Sequence, residues 1–313
     1  MTNGISVREL RSADIPKAEQ LRKLAFGTLF NLPDPARFRG DAALLPARCW
    51  AFPDGGFVAE ADGEMVGVAL ANNWGSLGLF GPLAVHPGHW KKGIARQLMK
   101  ATMPVFDTWR SRLVGLFTFP ERASHVRLYQ EFGFWPRFLT SVMAKPAVAG
   151  TPATNAVALS TAREREALIA GCSKLTDAIW AGLDLTHEIA MVLEFDLGEI
   201  LVLTEGSQIQ GFAICHAGKG SEGGSASCYI KFAAVPRGIE AARHFGRLLD
   251  ACENFAASRG IGQVAAGINM GRHAAYRAML ARGFRATLQG VALHRPWEPA
   301  YDRDDVFVID DWR

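Results

Sequence analysis

Residues 114–134 read VGLFTFPERASHVRLYQEFGF, and residues 264–284 read VAAGINMGRHAAYRAMLARGF. Each stretch is an apolar strand, a polar turn, a helix with apolar residues at helical spacing, and a closing Gly-Phe. Arg122 matches Arg272, Arg127 matches Arg277 and Gly133 matches Gly283, at a displacement of 264 − 114 = 150 residues. The same shift pairs Ala84-Val85 with Ala234-Val235, Leu98 with Leu248 and Pro146 with Pro296. A displacement that holds over such a length is an internal repeat, and it decides the architecture before any single motif does.

Upstream, GEMVGVALANNWG resembles SQIQGFAICHAG at a smaller shift, the difference being absorbed by the loop GKGSEGGSAS at Gly218–Ser227. Loops take insertions at low cost. The copies meet in PAVAGTPATN, a small-residue and proline stretch typical of a linker. The expected units are therefore residues 1–146, a linker at 147–155, and residues 156–313.

Within the first copy, VRELRSADIPKAEQLRKLAFG reads as a strand and a helix. GFVAEADGEMVGVAL reads as two strands joined by a turn at Ala61–Glu64, and SLGLFGPLAV as a strand buried on both faces. A helix from about Gly93 to Arg110 follows, which Pro104 should kink or cut short. The order β, α, β, β, β, α, β, α, β predicts an α/β (α+β) fold: a mixed, mostly antiparallel sheet flanked by helices, made twice. In the second copy, Asp177–Phe195 reads as a helical stretch with His187 and Glu188 as polar candidates for lining a substrate cleft. Val306–Ile309 reads as a final strand, expected to cross back and complete the first copy's sheet.

Composition narrows the function. A net charge of +3 offers neither a nucleic-acid groove nor an attraction to anionic membrane, so no nucleic-acid or membrane partner is expected. Five scattered cysteines support neither a disulfide framework nor a metal site. No apolar run approaches the roughly 18 residues a membrane span needs, and the expectation is a cytoplasmic protein.

The chemistry concentrates in AVHPGHWKKGIARQLM, residues 84–99. A strand ends at Val85, a proline turn follows, and Lys91, Lys92, Gly93, Ile94, Ala95 and Arg96 open a helix. Backbone N–H groups at a helix start, with its dipole, make an anion site or simply an ordinary solvated helix terminus. Gly93 would let backbone approach an anion closely.

With these residues in place, 7–146 resembles the GNAT superfamily of acetyl-CoA-dependent N-acetyltransferases. The family's V-x-P-x-x-[QR]-x-x-G-x-[GA] is met by Val85, Pro87, Gly93 and Ala95, and its L-Y-x-x-x-G-F by Leu128, Tyr129, Gly133 and Phe134. The second copy is similar in topology only, so the resemblance is to a tandem GNAT protein with a degenerate second domain. It implies acetyl-CoA as co-substrate, with Leu83, Ala84 and Val85 beside the pantetheine arm and the N–H groups of 91–96 on the pyrophosphate. It also implies Tyr129 as the acid that protonates the departing thiolate. Trp90 departs from the pattern, standing where Gln or Arg is usual, and is counted with the cofactor residues. The strand SLGLFGPLAV carries no acidic residue where relatives have a base, which leaves Glu60, Glu64, His86 or a water relay.

In the second copy Gly93 becomes Arg243, Ala95 becomes Phe245, Trp90 becomes Glu240 and Tyr129 becomes Met279. That copy is expected to keep the fold without binding acetyl-CoA, serving as a cleft wall or a homodimer contact. The activity expected is acetyl transfer to a primary amine of a small molecule or peptide. A non-catalytic acetyl-CoA sensor and an enzyme resembling mycothiol synthase, with a larger acceptor, are the alternatives.

Overall fold

A computed structural model describes residues 4–148, 150, 156–206 and 208–313; most of the linker expected at 147–155 lies outside the described residues. The first copy runs β1 (Ile5–Glu9), α1 (Ile15–Leu29), α2 (Leu45–Ala51), β2 (Gly56–Ala61), β3 (Glu64–Trp74), β4 (Leu77–Val85), α3 (Ile94–Thr108), β5 (Leu113–Thr118), α4 (Ala123–Gln130) and β6 (Trp135–Pro146). The second repeats it as β7 (Ala156–Ala158), α5 (Arg165–Ile179), α6 (Thr186–Glu194), β8 (Gly198–Glu205), β9 (Gln208–Gly218), β10 (Gly224–Ala234), α7 (Ala241–Ser258), β11 (Gln263–Asn269), α8 (His273–Ala281) and β12 (Arg285–Arg295). A short β13 (Val308–Ile309) closes the chain.

The β2–β3 hairpin turns at Asp62-Gly63, as read from the sequence, with Ala61 opposite Glu64. Pro104 does not stop α3, which continues to Thr108. Pro104 and Lys100, whose carbonyl loses a donor, both lie on the exposed face, where water can take the bond. The stretch expected to be helical at 177–195 is two helices. Between them Gly182 has φ 80°, and its carbonyl accepts from Ser76 N–H at 2.8 Å on the β3–β4 turn.

The two sheets join into one, in the order β1-β2-β3-β4-β5-β12-β6-β11-β10-β9-β8-β7. Replacing each strand by its repeat counterpart makes this order read the same from either end. The copies have exchanged their last strands: β12 lies antiparallel to β5, β6 lies antiparallel to β11, and the two pair with each other at the centre. A shared core follows. Trp74, Leu77 and Leu113 of the first copy pack in one cluster with Ile179, Trp180, Phe232 and Tyr301 of the second.

In the first half, β4 and β5 are parallel neighbours only at Leu77–Leu79 and Leu113–Gly115. Beyond Leu79, β4 bulges at Gly81-Pro82, where its register against β3 shifts, and the strands splay. The second half has the same splay between β10 and β11, which pair only over Cys228–Ile230. There β13 fills it. Ala233 pairs with Ile309 and Ala234 with Val308, Val235 N–H donates to Phe307 O at 3.3 Å, and Asp310 bridges to Ile268. The expectation that this strand completes the first copy's sheet is therefore corrected. The first sheet's edge is already taken by β12, whereas the gap between β10 and β11 exposes backbone that needs a partner.

Candidate active site

The splay between β4 and β5 opens into a cavity of about 460 Å³. β4 lends it Phe80, Gly81, Pro82 and Leu83, β5 and the residue after it lend Phe117, Thr118 and Phe119, and α4 lends His125 and Tyr129. α1 and its following loop form an aromatic wall in which Phe38 stacks on Phe26 and Phe30 at centroid distances of 5.8 and 5.7 Å. Phe30 in turn meets Phe119 edge-on at 5.3 Å. The second copy supplies Glu222, Tyr229, Leu288, Trp312 and Arg313. The chain's last residues do reach the first half's site, although as a wall and not as a strand. Trp312 lies flat on β5, where a Cβ at Gly115 would come within 2.5 Å of its ring; only glycine admits this contact.

Tyr129 is buried between Phe80 and Phe134, at centroid distances of 6.2 and 6.4 Å. Burial pushes its phenol up to about 12, against a side-chain hydrogen bond with Thr118 that pulls the other way. The phenol thus stays protonated at neutral pH. His125 stands one helical turn before it, on the same face of α4. Burial, with Arg122 nearby, lowers the His125 imidazole below its usual 6.5, so it is neutral at pH 7. A group that holds its proton and a group that lacks one face a single cavity.

The loop from β4 to α3 lies outside that lining and enters α3 through left-handed backbone. Lys91 and Gly93 both adopt left-handed backbone, with φ 63° and 79°. The first N–H of α3 to take up the helical pattern is that of Gln97, on the O of the capping Gly93 at 3.2 Å, which leaves those of Ile94, Ala95 and Arg96 without a helical partner. A Cβ at Gly93 would meet nothing within 4 Å, so the space above the loop is open and the glycine is required by φ. Lys91 and Lys92 are exposed, Ala95 is half-buried, and the side chains of Ala84 and Ile94 are buried, so these two can offer only backbone. Leu83 lines the cavity, and Val85 is half-buried at the strand end.

Two side chains are engaged within the protein. The Trp90 indole N–H donates to Val85 O at 2.8 Å, capping the end of β4. An indole has one donor, so Trp90 has none left for a phosphate, while Val85 O retains a second lone pair. Arg96 forms a two-bond pair with Glu131, at 2.7 and 2.9 Å, tying α3 to the end of α4.

The acidic candidates lie elsewhere. Glu60 pairs with Arg8 at 2.6 Å and Glu64 with Lys17 at 2.5 Å, and neither lines the cavity. His86 Nδ1 accepts from Gly88 N–H at 3.2 Å within its own turn. His187 packs on Phe52, and buried Glu188 accepts from the Trp74 indole at 3.0 Å; both join the copies and neither lines the cleft.

Sequence reasoning missed His125, whose signal was its four-residue spacing to Tyr129. It also missed Glu222, which lies in the glycine-rich insertion. That loop docks on the first copy: Ser221 O accepts from Ala43 N–H at 3.1 Å, and Asp41 Oδ1 from Ser225 N–H at 2.9 Å. Glu222 is held by Arg48 at 2.7 Å and Lys231 at 3.2 Å. Burial alone would raise its pKa; the two cations overcome this and hold the carboxyl well below the usual range. Glu222 is a buried structural anion, not a base.

Residues 23–134 match the family model described as Acetyltransferase (GNAT) family. The first copy is a GNAT domain. Solved structures extend the likeness over both copies. A candidate acetyltransferase of Pyrococcus horikoshii aligns with a TM-score of 0.72 at 13% identity, covering 99% of this chain and 95% of that one. A GCN5-related N-acetyltransferase of Sphaerobacter thermophilus gives 0.59 at 17% identity, covering 95% and 96%. A tandem GNAT protein from the clavulanic acid biosynthesis pathway gives 0.59 at 14%, covering 95% and 99%. At such identities the likeness is one of fold, and the fold is a tandem GNAT. No curated protein matches the sequence. Among the described residues, no helix is long and apolar enough to cross a membrane, and no group of three or more His, Cys, Asp or Glu could hold a metal.

Proposed function

We propose that this protein transfers an acetyl group from acetyl-CoA to a primary amine, in the cavity of the first copy, by direct attack in a ternary complex. The observation that carries the reading is the meeting of a protonated Tyr129 and a neutral His125 in the splay of a GNAT domain whose anion loop is open. When bound, acetyl-CoA supplies the acetyl group as a thioester. The residues fit it: beyond Leu79 the β4 edge is unpaired on its β5 side, and the three free N–H groups of α3 suit a pyrophosphate. Lys91 and Lys92 add charge beside those N–H groups.

His125 accepts a proton as the amine nitrogen bonds to the acetyl carbon. Tyr129 gives its Oη proton to the sulfur as the carbon–sulfur bond breaks, and solvent restores it. The aromatic walls keep bulk water from competing for the acyl group. The second copy's lost loop signature agrees with its fold, because β13 fills the splay where a second cofactor arm would lie.

Calorimetry with acetyl-CoA, combined with release of free thiol across a panel of amines, tests the reading. Expected are binding at one site per chain and amine-dependent thiol release. Binding without turnover on any amine would favour the sensor, and no binding would remove both readings.

A further inference from the structure

The cavity's far wall carries an asymmetry of charge. Arg22 is paired with Glu19 at 2.5 Å, Arg48 and Lys231 share Glu222, and Arg313 is paired with Asp311 at 2.6 Å. Arg39, on the loop after α1, has no carboxylate within ion-pair distance among the described residues; its nearest acceptor is Glu222 O at 3.5 Å. Arg39 is exposed as a residue yet lines the cavity, and its guanidinium Nη1 is the group that faces Glu222 O. Desolvation there, and the neighbouring Arg313 charge, bring it down to about 10, so it remains a cation at neutral pH in surroundings that favour an added anion.

Beside Arg39 in the cavity lining stands the Phe26, Phe30 and Phe38 wall, which Phe30 joins to the end of β5 through Phe119. A guanidinium offers a flat fork that matches a carboxylate, whereas a phosphate would call for a second cation, and the others at hand are already paired. The rings offer area to an apolar body.

We propose that the acceptor is an apolar, amino-acid-sized amine bearing a carboxylate, which Arg39 holds while the body lies on Phe26, Phe30 and Phe38; this rests on the acetyl-transfer reading. The cavity's volume is in the range that suits such a molecule beside a thioester arm.

The test uses binding, so that it does not depend on turnover. N-acetyl-L-phenylalanine and its uncharged amide are titrated into the full chain by calorimetry, with acetyl-CoA titrated in parallel. The acid should bind about tenfold or more tighter than the amide. Arg39→Gln should erase that preference with its thermal midpoint unchanged, Arg39→Lys should keep part of it, and Phe38→Ala should weaken acid and amide together. Equal binding of acid and amide, no binding of the acid, or a preference that survives Arg39→Gln overturns the proposal. An Arg39-dependent preference in a protein that ignores acetyl-CoA upholds the ligand class and removes acetyl transfer instead.

Discussion

At the scale of single residues, α4 separates the two proton tasks by environment alone. Tyr129 sits deep among aromatic rings, which penalise the phenolate; His125, a turn closer to the surface, sits where burial and Arg122 penalise the imidazolium. If Tyr129 supplies the proton to sulfur, Tyr129→Phe removes that proton and little packing. Turnover should fall by about 100-fold while the acetyl-CoA Kd changes less than twofold, as measured by stopped-flow thiol release and calorimetry. His125 gives a signed pH dependence. Its folded pKa lies below 6.5, so the base form is present at neutral pH and is lost as pH falls through that lowered value. The acid limb of kcat/KM should therefore lie below 6.5 and disappear in His125→Ala; a limb unchanged in that variant would assign the base to another group. Trp90 shows why a single departure from a motif can mislead. Its indole caps β4 through Val85 O, a role in shaping the loop that no sequence pattern announces.

Elements carry the contrast between the copies. The α3 loop is open above a left-handed Gly93, whereas α7 begins after Glu240, and Arg243 of its first turn pairs with that residue. Phe245, at the place of Ala95, is fully buried and packs on Phe307, just ahead of β13, at 5.4 Å. The second loop has thus become an anchor for the chain's own strand. Gly93→Arg would impose a side chain on left-handed backbone, at a cost of about 1–2 kcal/mol, and would cover the free N–H groups. Acetyl-CoA binding should drop at least tenfold with the thermal midpoint shifted by only a few degrees, and a variant that binds normally would remove the loop from the site. Much of this was legible in the sequence: the Asp-Gly hairpin, the loop, the α4 motif and the erosion of the second copy are all local signals. What escaped was non-local. Arg39 and Glu222 lie in loops with no periodicity, and only tertiary contact brings them to the cavity. The β13 strand is a pair of apolar residues that would suit either sheet, and its place was decided by which edge remained unpaired.

For the whole molecule, the exchange of β6 and β12 was hidden by the repeat itself. Both strands follow equivalent helices and run up to matched prolines, Pro146 at the end of β6 and Pro296 just after β12, so pairing β5 with either one satisfies the same local pattern. The repeat defines the units in the chain, yet the sheet that supports the cavity is built from both. β5, which carries Phe117 and Thr118 on the cavity wall, is flanked by β12 along Val114–Thr118. The cluster around Trp74 and Trp180 spans the copies, and Glu222 of the second copy is buried against Arg48 of the first. Separating the copies would expose those apolar faces, strip Arg48 of its carboxylate, and leave β5 with a bare edge unless β6 folded back onto it. Fragment 1–146 should therefore lack a cooperative thermal transition, whereas the full chain should unfold in one transition that coincides by calorimetry and by tryptophan fluorescence. Two resolved transitions in the full chain, or a cooperatively folded fragment that binds acetyl-CoA, would mean that the first copy can build its own sheet with β6 and that the exchange is not needed for the site.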